Sequence, residues 1–425
     1  MRLFKAAIFF LLLPLLLSAY SGRVVDAKNG QPIADAKIFN GSQTVLSSAD
    51  GSFQINDRGK TLHIKAYGYR ALTIGEHVSY SRFALHPIRI KALYVNFNAA
   101  NPHSKTFKRI LERIEHTEVN AVIVDVKNVK GEISYRTDVA EANRIGASDH
   151  RTIPDIHAFL DALKSRHIYT IARIAVFKDT IQAKHFPARA VKRSDGRTWW
   201  DKHHTAWIDP HSRKGREYAL AIAKDAAKAG FDEINFDYIR FPAHKGLRYR
   251  KADTQANRIA AIESFLQQAQ KRLSPYSAYL SVDIFGYVAW NKTDTHIGQT
   301  VASLAKHSDY ICPMLYPSGF HKGTLGYADP TRHPYSIVKT SIRKAQSAVT
   351  AKRIRPWLQS FRDYAFSHVN YTEHYIARQI EAANDMDTNG WLLWNPSSHY
   401  PYVNHTLFQM VHAHKHKKDT KKKAK

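Results

Sequence analysis

Two aspartates define the chemistry this sequence can support. Asp237 closes the run Glu233-Ile234-Asn235-Phe236-Asp237, and Asp283 sits within Leu280-Ser281-Val282-Asp283-Ile284. Side chains of a strand point alternately to its two faces, so Ile234, Phe236, Leu280, Val282 and Ile284 share one side. Asn235, Asp237, Ser281 and Asp283 share the other. Cleavage of a glycosidic bond needs one carboxylic acid to protonate the leaving oxygen and one carboxylate to attack or to activate water. Two acids at matched heights on neighbouring strands can divide that work, provided the fold turns both towards one opening.

The rest of the chain reads as such a fold. Strands are expected at Leu93–Phe97, Ala121–Lys127, Tyr169–Val176, Phe231–Ile239, Tyr279–Phe285, Tyr310–Tyr316, Arg355–Phe361 and Gly390–Trp394. Between them lie amphipathic helices. Phe107, Ile110, Leu111 and Ile114 recur at helical spacing, as do Ile156, Phe159, Leu160 and Leu163, with Pro154 near the first turn of their helix. An Ala-rich helix over Gly215–Ala229 stops at Gly230. Near-continuous apolar strands separated by helices predict a (β/α)8 TIM barrel across 89–410. The alternative is a doubly wound sheet, which normally carries a Gly-rich phosphate turn; neither G-x-G-x-x-G nor G-x-x-x-x-G-K-[ST] occurs.

In a parallel barrel the reaction face lies at the C-terminal strand ends. Inward, late-strand positions here are unusually polar: Asp125 and Lys127 on strand two, Arg173 on strand three, Tyr316 on strand six and Gln359 on strand seven. Trp394 and Asn395 end strand eight, and Arg240 follows strand four. Buried charges are costly unless paired, so this mouth is expected to bind a ligand through these residues, with Asp237 and Asp283 catalytic. Desolvation among Val282, Ile284 and Phe285 casts Asp283 as the protonated acid, and a nearby Arg240 casts Asp237 as the ionised nucleophile or base. The structural alternative is ion pairing of Asp125 with Lys127 or Arg173, and of Asp237 with Arg240. Tryptophans add a sugar-binding hint: Trp199, Trp200 and Trp207 cluster after strand three, Trp290 follows strand five, and Trp357, Trp391 and Trp394 lie near strands seven and eight.

The flanking segments differ in kind. Residues 1–19 read as a signal peptide, with Arg2 and Lys5 before the apolar run Ala6–Leu17 and Ser18-Ala19 at its end. Export to the periplasm, the cell surface or the medium is expected. Residues 20–88 show short strands between turn signals (Lys28-Asn29-Gly30, Asn40-Gly41, Asp50-Gly51), the pattern of a small all-β sandwich. Strands are expected there at Ser21–Val25, Lys37–Phe39, Ser52–Ile55 and Leu62–Ala66. The tail 411–425 is Lys-rich and expected to be disordered and to touch an anionic envelope surface.

Sixty-three Lys and Arg against 36 Asp and Glu give a net charge of +27, a field that favours anionic partners. A polysaccharide of anionic character fits that field. Nucleic acid fits the charge alone, and no nucleic-acid motif is present, so no nucleic-acid partner is expected. The single Cys312 excludes an intrachain disulfide framework and a Cys-rich zinc site. Without H-E-x-x-H or G-x-S-x-G, zincin and serine-hydrolase chemistry lack their signatures. No metal or cofactor is expected.

Two resemblances sharpen the picture. Gly22-Arg23-Val24-Val25-Asp26, Gly30-Gln31-Pro32-Ile33-Ala34-Asp35-Ala36 and Ser48-Ala49-Asp50-Gly51-Ser52-Phe53 resemble the carboxypeptidase regulatory-like (transthyretin-like) sandwich, which implies an appended, non-catalytic module. The run from Gly230 to Pro242 (GFDEINFDYIRFP) resembles the signature of the glycoside hydrolase-like family DUF4015. Asp125-Val126-Lys127, Arg173 through Asp179, Trp207-Ile208-Asp209-Pro210, Val282 through Gly286, Asp309 through Ser318, Arg355 through Gln359 and Gly390 through Pro396 continue that likeness in order. Asn128 departs from it, standing where the family pattern has Asp, which takes an acid role away from that position. The resemblance implies a TIM barrel related to glycosidases and supplies no substrate. The expected function is hydrolysis of an extracellular or envelope polysaccharide; the alternative is a glycan-binding barrel that does not cut.

Overall fold

The computed structural model describes residues 20–413 apart from 42, 57–60 and 76–80, so the leader 1–19 and most of the tail lie outside the described residues. The chain divides into two units: the N-terminal unit, which includes Leu72–His86, and a second one comprising Tyr67–Ala71 and everything from Pro87 onward.

The N-terminal unit is all-β. One three-stranded sheet orders Ser52–Ile55, Tyr20–Asp26 and Arg82–Leu85, and a four-stranded sheet orders Thr44–Leu46, Lys37–Phe39, Leu62–Lys65 and Leu72–Ile74. Phe53, Ile55, Phe83 and Leu85 point inward while Gln54, Arg82 and Ala84 face solvent, the period-2 pattern of sheets with one wet face. Three of these strands (Thr44–Leu46, Leu72–Ile74 and Arg82–Leu85) were not expected from the sequence. The first two run only three residues each and bury little, leaving a weak periodicity.

The second unit is a closed barrel of eight parallel strands: β1 (Ile90–Val95), β2 (Ala121–Lys127), β3 (Tyr169–Ala175), β4 (Glu233–Asp237), β5 (Tyr279–Phe285), β6 (Tyr310–Met314), β7 (Trp357–Gln359) and β8 (Gly390–Trp394). Each strand pairs with its sequence neighbours, and β8 pairs with β1 to close the ring. Helices connect them. Lys105–Glu115 buries Phe107 and Ile110 and is capped by Ser104; Arg213–Ala229 ends at Gly230, which adopts a left-handed conformation. The helix Ile156–Lys164 buries all four of its expected apolar residues. Its N-cap is Asp155, whose carboxylate accepts from the His157 and Ala158 amides, so Pro154 precedes the helix rather than entering its first turn. Among the described residues no helix is long and apolar enough to cross a membrane.

Strand ends differ from expectation where the backbone leaves the ladder. β1 starts at Ile90 and stops before Asn96, whose side chain accepts from the Ala99 amide and turns the chain. β4 stops at Asp237 because Tyr238 takes φ 50°, a left-handed conformation that ends extended pairing. β7 shrinks to three residues.

The barrel has a double lining. Val122, Val124, Ile174, Ile234, Phe236, Val282, Ile284 and Leu358 pack outward against the helices, while Tyr94, Ile123, Tyr169, Ile171, Tyr279, Tyr310 and Trp357 fill the interior. The interior is not purely apolar. Glu233 and Arg355 form a fully buried ion pair with two 2.8 Å bonds, steadied by the Tyr169 hydroxyl at 3.1 Å and the Asn389 carbonyl at 3.2 Å. Such a satisfied pair fixes register beneath the mouth.

Candidate active site

β4 and β5 run in register, Asn235 beside Ser281 and Phe236 beside Val282. One step further, at the C-terminal ends, stand Asp237 and Asp283. Both line a cavity of about 320 Å³. Strand parity alone puts them there: Ile234, Phe236, Val282 and Ile284 are held by the outer shell, so the residues between must face inward.

The two carboxylates live in different surroundings. Asp283 is buried, and both of its hydrogen bonds arrive at Oδ1: from Asn235 Nδ2 at 2.9 Å and from the Trp357 indole N–H at 2.7 Å. Burial first, then the neighbouring charge of Asp237, pushes its pKa well above the ordinary carboxylate range, against the opposing pull of Arg173 and the two donors. Oδ2 is left for the proton. Asp237 accepts from the Tyr238 amide at 2.6 Å and is ion-paired with Arg173.

Arg173, from β3, bridges Asp237 and Asp125. Its guanidinium lies 5.1 Å from the Trp394 ring and 5.5 Å from the Tyr94 ring. Asp125 takes a further bond from the Tyr94 hydroxyl at 2.6 Å and stands behind Arg173, outside the cavity lining. Burial raises its pKa, opposed by Arg173 and Tyr94. Tyr316 and Trp394 also line the cavity, Trp394 stacked on Tyr94 at 3.9 Å. Burial and the charges of Asp283 and Asp237 push the Tyr316 hydroxyl pKa well up, so it is a neutral donor. Phe285 and Tyr364 are exposed aromatics of the rim. Gly286 completes the wall: a Cβ there would come within 2.4 Å of the Met314 carbonyl oxygen, so only glycine lets β5 leave the barrel along this path.

Asp125 is thus one expected position that stands back from the cavity, and three more do. Lys127 does not reach the mouth. A register shift in the β2–β3 pairing sets it opposite Ile174, and its ammonium bonds Asp179 Oδ2 at 2.9 Å and the Ala175 carbonyl at 2.6 Å. Gly131 makes room for that pair, since a Cβ would stand 2.2 Å from Asp179 Oδ1. Gln359 is spent on the β6–β7 loops, accepting from the Ser318 amide at 3.1 Å and donating to Ser318 Oγ at 2.7 Å. Asn395 ties its own loop to the Ser360 carbonyl at 2.6 Å. Arg240 lines the cavity, but Arg173, not Arg240, is the cation bonded to Asp237.

The tryptophans separate by depth. Trp207 is buried and donates to Asp201 at 3.2 Å, Trp391 belongs to the outer core, and Trp290 donates to Ser341 at 2.9 Å. Trp357 and Trp394 line the cavity, whereas Trp199 and Trp200 line a separate groove of about 370 Å³ with Arg193 and His244. Sequence reasoning missed Trp357 as a donor to Asp283. Its phase on β7, two residues before Gln359, was the available signal. Tyr94 lay inside the expected strand Leu93–Phe97 and was missed too; its phase, between the outward Leu93 and Val95, was the available signal. Among the described residues no cluster of three His, Cys, Asp or Glu side chains forms a metal-ligand set.

A closed parallel barrel with paired acids at its C-terminal mouth is an architecture of glycoside hydrolases. Residues 92–400 match the family model DUF4015, described as "Putative glycosyl hydrolase domain", and the chain belongs to that family. Among solved structures, a hypothetical protein from Ruminiclostridium thermocellum is 30% identical over 45% of this chain and 96% of its own, with a TM-score of 0.40. The PgaB (BpsB) glycoside hydrolase domain from Bordetella bronchiseptica shares the fold: 15% identity, 73% of this chain, 95% of that one, TM-score 0.53. A chitinase from Chromobacterium violaceum is 13% identical over 76% of this chain and 98% of its own, with a TM-score of 0.46. No protein of curated function matches the chain.

Proposed function

We propose that the barrel hydrolyses glycosidic bonds of an extracellular or envelope polysaccharide, with Asp283 as general acid and Asp237 as nucleophile. One observation carries this reading: two acids on adjacent strands open into one cavity, one desolvated and hydrogen-bonded on a single oxygen, the other paired with Arg173. A desolvated carboxyl with a raised pKa suits the acid, which leaves Asp237 for the nucleophile. Asp283 gives its proton to the leaving oxygen as the glycosidic bond breaks, while an Asp237 oxygen bonds the anomeric carbon. Water then displaces Asp237, and Asp283 takes a proton from that water, which restores both groups. With Asp237 as nucleophile the reaction retains the anomeric configuration. Tyr316, Trp394 and the aromatic rim supply faces for sugar C–H groups. The charged and apolar leader and the net charge of +27 support an exported enzyme working at an anionic envelope.

The test is release of reducing ends from a panel of bacterial envelope polysaccharides. The wild-type chain is expected to release them, and Asp237→Asn to lose at least about 10²-fold in rate, the usual scale for such groups. Undiminished activity of Asp237→Asn removes it from the reaction. A glycan-binding barrel without turnover is the second reading. The engagement of both Asp237 oxygens, by Arg173 and by the Tyr238 amide, is the observation on its side.

A further inference from the structure

Among the described residues, Arg240 is the cavity-lining cation without an ion pair to a carboxylate. Tyr238, in its left-handed conformation, turns the chain after β4 and sends the Arg240 side chain into the wall beside Asp237. There the guanidinium lies 5.0 Å from the Trp207 ring and 5.3 Å from the Tyr238 ring. Its one hydrogen bond among the described residues runs from Nη1 to the Phe241 carbonyl at 3.2 Å. The carboxylates within electrostatic range are committed elsewhere: Asp237 to Arg173, and Asp201 to Lys178 at 2.9 Å.

A part-buried guanidinium braced by aromatic faces is partly desolvated, and its remaining donors form a planar fork. Burial lowers its pKa, the mark of a cation whose desolvation is not offset by an adjacent carboxylate. Carboxylate and phosphate both offer two oxygens that match that fork. A dianionic phosphate fits less well, because the Asp237 carboxyl lines the same cavity and the other lining arginine, Arg173, is already paired.

We infer that Arg240 anchors a carboxylate carried by the sugar bound in this cavity, so that the substrate is an acidic glycan of the uronic-acid kind. The inference rests on the hydrolase reading for the word substrate, but its binding test needs no turnover. Full-length Asp283→Asn chain, chosen to prevent cleavage, is titrated by ligand-observed NMR with glucuronate, glucose and sulfate at constant ionic strength. Glucuronate is expected to bind about 10-fold or more tightly than glucose, the scale of a charge-assisted bidentate contact. Adding Arg240→Gln should abolish that preference, read as the ratio of glucuronate to glucose affinity within each variant; Arg240→Lys, which keeps the charge and loses the fork, should restore it in part. Thermal unfolding of each variant confirms that it folds, and Arg240→Met stands in if Arg240→Gln does not.

Equal binding of the two sugars overturns the inference. So does no glucuronate binding, a preference that survives Arg240→Gln, or sulfate binding as well as glucuronate. The two readings fail separately. Glucuronate preference in a chain that hydrolyses nothing spares the anchor and sinks the hydrolase. Hydrolysis by Arg240→Gln at the parental rate on acidic and carboxyl-reduced glycans alike sinks the anchor and spares the hydrolase.

Discussion

Replacing Trp357 with Phe keeps an aromatic ring in the cavity wall and deletes one N–H. That N–H donates to Asp283 Oδ1 at 2.7 Å, inside a site where Asp283 is only 2% exposed. The bond favours the ionised carboxylate, so its loss must raise the pKa of Asp283 further. A hydrogen bond to a charged group contributes about 1.5–3 kcal/mol, and one pKa unit corresponds to about 1.36 kcal/mol, so the rise is roughly 1–2 units. As a general acid Asp283 acts only when protonated. The alkaline limb of kcat/KM against pH should therefore move upward by that amount in Trp357→Phe, measured on any glycan the wild-type chain cleaves. The plateau will also fall, because the smaller ring packs less well against Tyr94 and Trp394, but the position of the limb is insensitive to that loss. An alkaline limb that stays in place or moves down refutes the assignment of Asp283 as the acid.

Other outcomes follow from the same geometry. Because both donors to Asp283 reach one oxygen, the Asn carbonyl in Asp283→Asn can accept both bonds. Wild-type Asp283 holds its proton more tightly folded than unfolded, so its contribution to stability falls as pH rises from about 4 through the folded pKa. Asn has no such fall. Urea unfolding at pH 4 and pH 7 should show a stability gap in favour of Asp283→Asn that widens at the higher pH; a pH-independent gap contradicts this. Arg173→Met leaves Asp125 and Asp237 buried with no cation between them, which should cost about 3–5 kcal/mol by denaturant unfolding, and a loss under about 1 kcal/mol would show that the bridge is dispensable. Proton NMR of the first-formed product should show the anomeric configuration of the substrate retained, whereas inversion would make Asp237 a base acting through water.

Much of this site is written in strand periodicity. Apolar-polar alternation through Glu233–Asp237 and Leu280–Ile284 is strict, so the facing of Asp237 and Asp283 can be read from the residues alone. β2 resists that reading because its pairing with β3 shifts register after Arg173, and such a shift depends on how neighbouring backbones meet. Lys127 is therefore displaced while Asp125 is not. Gln359 and Asn395 fail for another reason. Each lies at a strand end where a loop offers backbone groups nearer than any ligand, and their amides are consumed there. Arg240 shows the reverse case. Sequence proximity suggested a bond to Asp237; Arg240 does reach the same cavity, but the ion pair of Asp237 is made by Arg173 from the neighbouring strand. The Glu233–Arg355 pair joins residues on β4 and just before β7, a contact that only barrel closure creates.

The measurement that bears most directly on the carboxylate pair compares leaving groups in Asp283→Asn. A general acid is needed in proportion to how poorly the aglycone departs. The variant should lose at least about 10²-fold in rate on natural glycans, and far less on the matching nitrophenyl glycoside, whose phenolate leaves without a proton. Equal losses on both substrates, or no loss on either, would contradict the division of labour between Asp283 and Asp237.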